Sequence, residues 1–275
     1  MTPPPPRRTP GGASDRPRRT PGSGNDRPRR PATERSARPR TDPTTGEERR
    51  APRLREPDLP EDASPRDLDR DARAELRSLP SSLADKVAAH LVAAGRALDD
   101  DPARAHAHAW YARQLAPRLA VVREAAAITA YATGDYAAAL AELRAVRRMT
   151  GDPSGLPMMA DCERGLGRPD RALALAREPD VKRLDPAAKI ELGIVVSGAR
   201  RDRGEYDAAV VALQGPALDS ERLQPWTVRL WYAYADALLA AGRREDALKW
   251  FESVAAIDEA GETDVDERLA ELTQS

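Results

Sequence analysis

Trp231-Tyr-Ala-Tyr-Ala-Asp-Ala-Leu-Leu-Ala-Ala-Gly-Arg-Arg-Glu-Asp-Ala-Leu-Lys-Trp-Phe251 sets Gly242 between two apolar-periodic runs, with Ala247 five residues after it. The same pairing of a turn residue with an alanine five positions on occurs at Asp100/Ala105, Gly134/Ala139, Gly167/Ala172 and Gly204/Ala209. Successive turn residues lie 34, 33, 37 and 38 apart, a period that suits a helix-turn-helix unit stacked on copies of itself. The 180 positions from 81 to 260 hold 43 alanines, so five such coincidences arise by chance about once in a thousand. Other columns agree. Seven residues before each turn sit Ala93, Ala127, Ala160, Ser197 and Ala235, all small, as close helix approach requires. Nine residues after each turn come Ala109, Leu143, Ala176, Leu213 and Phe251, all apolar.

With Trp231, Tyr234, Ala235, Gly242, Ala247 and Phe251 in one unit, the chain resembles the tetratricopeptide repeat family across roughly residues 85 to 258. The resemblance implies an all-α solenoid of about five repeats. Gly134-Asp135-Tyr136 and Gly204-Glu205-Tyr206 keep its turn, and Pro117 falls where a repeat closes; Asp100 stands where glycine is usual. Pro179 cuts the second helix of the third unit short, because proline lacks the amide and clashes with the preceding turn. Longer connections are expected around residues 179 to 187 and 215 to 225. An Arg/Pro tail ahead of such repeats also resembles proteins of high-GC Gram-positive bacteria, and 40 Arg against 4 Lys fits that codon bias.

The net charge of -1 conceals two halves of opposite sign. Residues 1 to 40 carry 11 Arg and 3 acids, a net +8, which leaves -9 for the rest. Residues 1–60 read as a disordered Arg/Pro/Gly-rich basic tail, with no aromatic and too little apolar surface to offset chain entropy. An eleven-residue spacing sets arginine pairs at Arg7/Arg8, Arg18/Arg19 and Arg29/Arg30, the candidate anion-binding positions. Residues 64–273 read as the repeat domain. Ser64-Pro65-Arg66-Asp67 starts a capping helix that carries Leu68, Ala72, Leu76 and Leu79 and ends at Pro80; a second helix runs from about Ser82 to Asp99. Thr263 to about Leu272 reads as the polar cap at the other end. No stretch approaches the roughly 18 apolar residues of a membrane span, no apolar signal core follows Met1, and the lone Cys162 excludes an internal disulfide. The expected location is cytoplasmic.

Three further places hold residue types that could carry chemistry. His106 and His108 are two apart, which on a helix turns them about 200° from each other and away from a shared metal. Asp99-Asp100-Asp101-Pro102 lacks a calcium loop's glycine and distal glutamate and reads as a helix start. Cys162 reads as a packing residue. With no phosphate loop either, neither metal nor cofactor is expected, and the chain is read as not an enzyme.

The resemblance implies a concave surface lined by first-helix residues 10, 6 and 3 positions before each turn. Those columns contain His90; Glu124, Ile128 and Tyr131; Asp161 and Arg164; Ile194 and Arg201; Tyr232 and Asp236, the candidate partner-groove residues. The Lys and Asn with which some family members clamp a peptide carboxylate are missing from these columns. The leading reading is a scaffold that binds a protein segment in this groove, the tail adding weak nonspecific anion binding. One rival makes the tail primary, in a protein associated with RNA or ribosomes. A second rival is an effector-sensing helical-repeat regulator.

Overall fold

The computed structural model describes residues 55–218 and 222–274; the tail as far as residue 54, with Arg7, Arg8, Arg18, Arg19, Arg29 and Arg30, lies outside them. Among the described residues the fold is all-helical, with twelve α-helices, two 3-10 turns and no strand. A 3-10 turn (Pro65–Asp67) and α1 (Arg70–Leu76) lead into α2 (Ser81–Ala97) and α3 (Pro102–Leu115), then α4 (Ala120–Ala132) and α5 (Tyr136–Thr150). After these come α6 (Leu156–Gly165) and α7 (Pro169–Leu175), α8 (Pro186–Asp202) and α9 (Tyr206–Leu213), α10 (Thr227–Ala240) and α11 (Arg244–Ala255), and finally α12 (Val265–Gln274). Each helix packs on the next. The first members of pairs also touch one another, α2 on α4, α6 on α8 and α8 on α10. None of the described helices is long and apolar enough to cross a membrane.

Four of the helix-helix turns share one closure. Gly134, Gly167, Gly204 and Gly242 all take φ between 70° and 77°. In each, the glycine amide donates to the carbonyl three residues back, and the next amide to the carbonyl five back: Gly204 to Arg201 at 2.8 Å and Glu205 to Arg200 at 2.8 Å, for example. That pair of hydrogen bonds is the Schellman end, which satisfies two orphan carbonyls and needs a left-handed conformation that glycine adopts without strain. The first pair turns differently. Asp101 caps α3 by accepting from the Arg104 amide at 3.0 Å, with Pro102 as the first helical residue.

Closing the turns so tightly brings the paired helices together on small side chains. Ala105, Ala139, Ala172, Ala209 and Ala247 are all at most 1% exposed, and Ala93, Ala127, Ala160, Ser197 and Ala235 at most 2%. Ser197 fits its column of alanines because its Oγ donates to the Ala209 carbonyl at 2.9 Å, leaving no buried hydroxyl unpaired. Further out, Leu143, Leu213 and Phe251 are buried, while Ala176, at the end of the short α7, is half-buried. Past α7 the chain runs through the second 3-10 turn, Pro179–Arg183.

The N-terminal end departs from expectation. Ser64 caps only the 3-10 turn; Leu68 is extended, and α1 starts afresh because the Asp69 carboxylate accepts from the Asp71 and Ala72 amides at 2.7 and 3.3 Å. The segment upstream lies along α2. Ala63 packs on Val92 and Ala93, and Arg96 pairs with Asp62 at 2.6 Å and Asp67 at 2.9 Å. His90, expected in the groove, is instead completely buried. Its Nδ1 lies 2.9 Å from Nδ1 of the buried His108, and its Nε2 lies 3.3 Å from Glu56 Oε1. Glu56 also takes Lys86 at 2.6 Å and the Tyr111 hydroxyl at 3.2 Å. The lead-in thus occupies the face of α2 that the column rule assigned to a partner.

Gly204→Ala meets no neighbouring atom, so its cost is conformational, about 1–2 kcal/mol, whereas Ala209→Leu forces extra volume into a filled gap and costs about 1–3 kcal/mol. Urea denaturation reads both, and an unchanged midpoint for Ala209→Leu would show the gap to be loose. Burial holds His90 and His108 below their ordinary 6.5; Glu56 opposes this at His90, while Lys86 adds to it there and Arg104 at His108. Protonating both would also set two N–H groups face to face. The unfolded chain takes up those protons near 6.5 and the folded chain only further down, so stability is complete above 6.5 and falls as pH drops below it. The double change His90→Leu/His108→Leu should flatten that loss between pH 7.5 and 5.5; an unchanged slope assigns it to other groups.

Candidate functional site

Helices α4, α6, α8 and α10, with the lead-in to α12, surround a cleft of ≈ 1020 Å³. Of the ten candidate groove residues, nine line it: Glu124, Ile128, Tyr131, Asp161, Arg164, Ile194, Arg201, Tyr232 and Asp236. Only His90 does not. Neighbouring helices offer these side chains at matching levels because residues three and four apart share a helix face.

The three arginines inside the cleft are each tied to a carboxylate of the same lining. Arg164 donates from Nε to Asp161 at 2.8 Å and reaches Asp202 at 3.5 Å; Tyr131 donates its hydroxyl to the other Asp161 oxygen. Arg201 meets Asp236 at 2.5 Å, Arg229 meets Glu191 at 2.7 Å, and Tyr232 donates to Asp264. Arg268 stands behind this last group, 3.4 Å from the Tyr232 hydroxyl and 3.9 Å from Asp236. Gly198 makes room for Arg164, since a Cβ there would sit 3.3–3.5 Å from its guanidinium and Cδ.

Burial raises the phenols of Tyr131 and Tyr232 above their ordinary value, and their bonds to Asp161 and Asp264 push the same way. Burial also raises Glu191, with Arg229 working against it. Glu124 differs. It keeps an exposed surface, yet the surrounding walls raise its carboxyl, and the charges of Glu75 and Asp152 raise it further.

Ser154, Glu191 and Arg229 also line the cleft and were missed. Each lies thirteen residues before a turn glycine, so extending the 10, 6, 3 series by one more turn finds all three. Met158, Glu262 and Asp264 are cleft residues with no such column.

Elsewhere, Cys162 is completely buried and its thiol pushed up to about 12, again by burial first. No group of three or more His, Cys, Asp or Glu is arranged to hold a metal among the described residues. A smaller outer groove between α8 and α9, lined by Val181, Leu192, Val196 and Val211 among others, carries Val211 at 63% exposure. No protein-family model matches the chain, and no curated protein matches it.

Proposed function

We propose that this chain is a non-enzymatic scaffold of the tetratricopeptide type, whose repeated helix pairs hold a protein segment in the cleft between α4 and α10. The observation that carries the reading is the convergence on one cavity wall of nine residues chosen from columns at fixed offsets before the turn residues. Such an offset rule works where first helices stand side by side and present equivalent faces. The four Schellman turns and the columns of buried alanine support the same reading. A further support is the character of the wall. Ile128, Met158, Ile194 and Val195 supply apolar surface, and Tyr131, Tyr232 and three arginines supply the residue types in which binding energy concentrates.

The test is positional. A photo-crosslinking phenylalanine analogue at Ile194 should form partner adducts in cells, and one at the outer Val211 should not. Adducts from position 211 alone would place the partner on the convex side and end the cleft reading.

A further inference from the structure

The lining of the cleft contains seven carboxylates, Glu124, Asp161, Glu191, Asp202, Asp236, Glu262 and Asp264, and three cations, Arg164, Arg201 and Arg229. Every one of those cations already faces a carboxylate of the same lining, at 2.8 Å, 2.5 Å and 2.7 Å respectively. An acidic partner would therefore have to break an internal pair for each contact it made. The carboxylates are in excess. Glu124 and Glu262 form no ion pair among the described residues, and they stand at opposite ends of the cleft, on α4 and in the lead-in to α12. Between them the wall alternates internally paired ions with apolar surface, Ile128, Met158, Ile194 and Val195 being half-buried there.

We propose that the cleft takes an extended partner segment with an arginine or lysine at each end and apolar residues between them, the cations meeting Glu124 and Glu262. The inference rests on the cleft being the binding surface and names the chemistry of what enters. At Glu124 the surrounding walls exclude part of the competing water, which strengthens a contact between its carboxylate and a guanidinium. Glu75 and Asp152, close enough to act on Glu124, add to the field at that end. Three interhelix steps of ~9 Å separate α4 from α10, a span covered by about eight extended residues. Anionic lipid and nucleic acid are disfavoured by the same charge count.

The experiment uses the full chain and three capped, fluorescent nonapeptides: Arg-Ala-Thr-Leu-Ser-Leu-Thr-Ala-Arg and its counterparts with Gln or Glu at both ends. At low salt the Arg probe should bind at least about tenfold more tightly than the Gln probe, the Glu probe should bind weakest, and the difference should shrink as salt screens it. Glu124→Gln/Glu262→Gln should abolish the preference for Arg, while Glu252→Gln, on the outer side of α11, should leave it; circular dichroism checks that the fold is unchanged. Equal binding of the Arg and Gln probes, both crosslinking through position 194, would overturn the charge inference and leave the cleft reading standing. A preference for Arg that survives the double change would place the cations elsewhere and overturn it as well. Failure of the Arg probe to bind at low salt would also overturn it. Crosslinking of the Arg probe through position 211 alone would remove both readings.

Discussion

The described body depends on a gap one methyl group wide. Each helix pair closes around an alanine that is at most 1% exposed, with a buried alanine or serine on the companion helix. With so little side chain between them, backbones approach closely and the angle of the pair is set by the turn rather than by rotamer choice. In four of the five pairs a left-handed glycine fixes that turn, and two amide-to-carbonyl bonds hold it. Everything that follows, from the stacking of neighbouring pairs to the levels at which side chains enter the cleft, inherits this geometry.

Arginine-carboxylate pairs then tie one helix to the next. Glu142 of α5 is 8% exposed and is held by Arg113 of α3 at 2.7 Å and Arg123 of α4 at 2.5 Å; Glu163 of α6, 1% exposed, is held by Arg144 of α5 at 2.7 Å. Burying a carboxylate so completely is costly unless a cation accompanies it, and the planar guanidinium loses less order per bond than an ammonium would. The abundance of arginine thus serves two regimes. On the inter-helix faces it balances buried acids; in the cleft it neutralises some of the lining and leaves the end carboxylates unmatched.

What the sequence made legible was everything set by local spacing. Turn glycines, alanine columns and the faces of α4, α6, α8 and α10 depend on residues within a few turns of one another, and each could be located by counting from Gly134, Gly167, Gly204 or Gly242. What it hid were contacts bridging long separations. His90 was misplaced because Glu56, 34 residues upstream, and His108, 18 downstream, draw it inside, and no offset rule contains either. The single helix expected from Ser64 divides because Asp69 is a better cap than the local pattern credited. In the cleft, the pairing of Arg201 with Asp236 joins two columns already chosen, yet that the pair would quench itself emerges only when the helices stand side by side. Glu191 and Arg229 were one helical turn outside the series considered.

The packing of each helix on its sequence neighbours, and of α2 on α4, α6 on α8 and α8 on α10, has a kinetic meaning. Most helix contacts here join elements next to one another or one apart in sequence, as α2 on α3 and α11 on α12 do, and so most stabilising contacts form without a large loop having to close. Low contact order places such a chain among fast folders. During synthesis, α2 and α3 can dock as soon as they clear the ribosome, and each later pair arrives to find its template already in place. The methyl-wide gap sharpens this order: a pair sealed around alanine presents a finished face to the helix that follows.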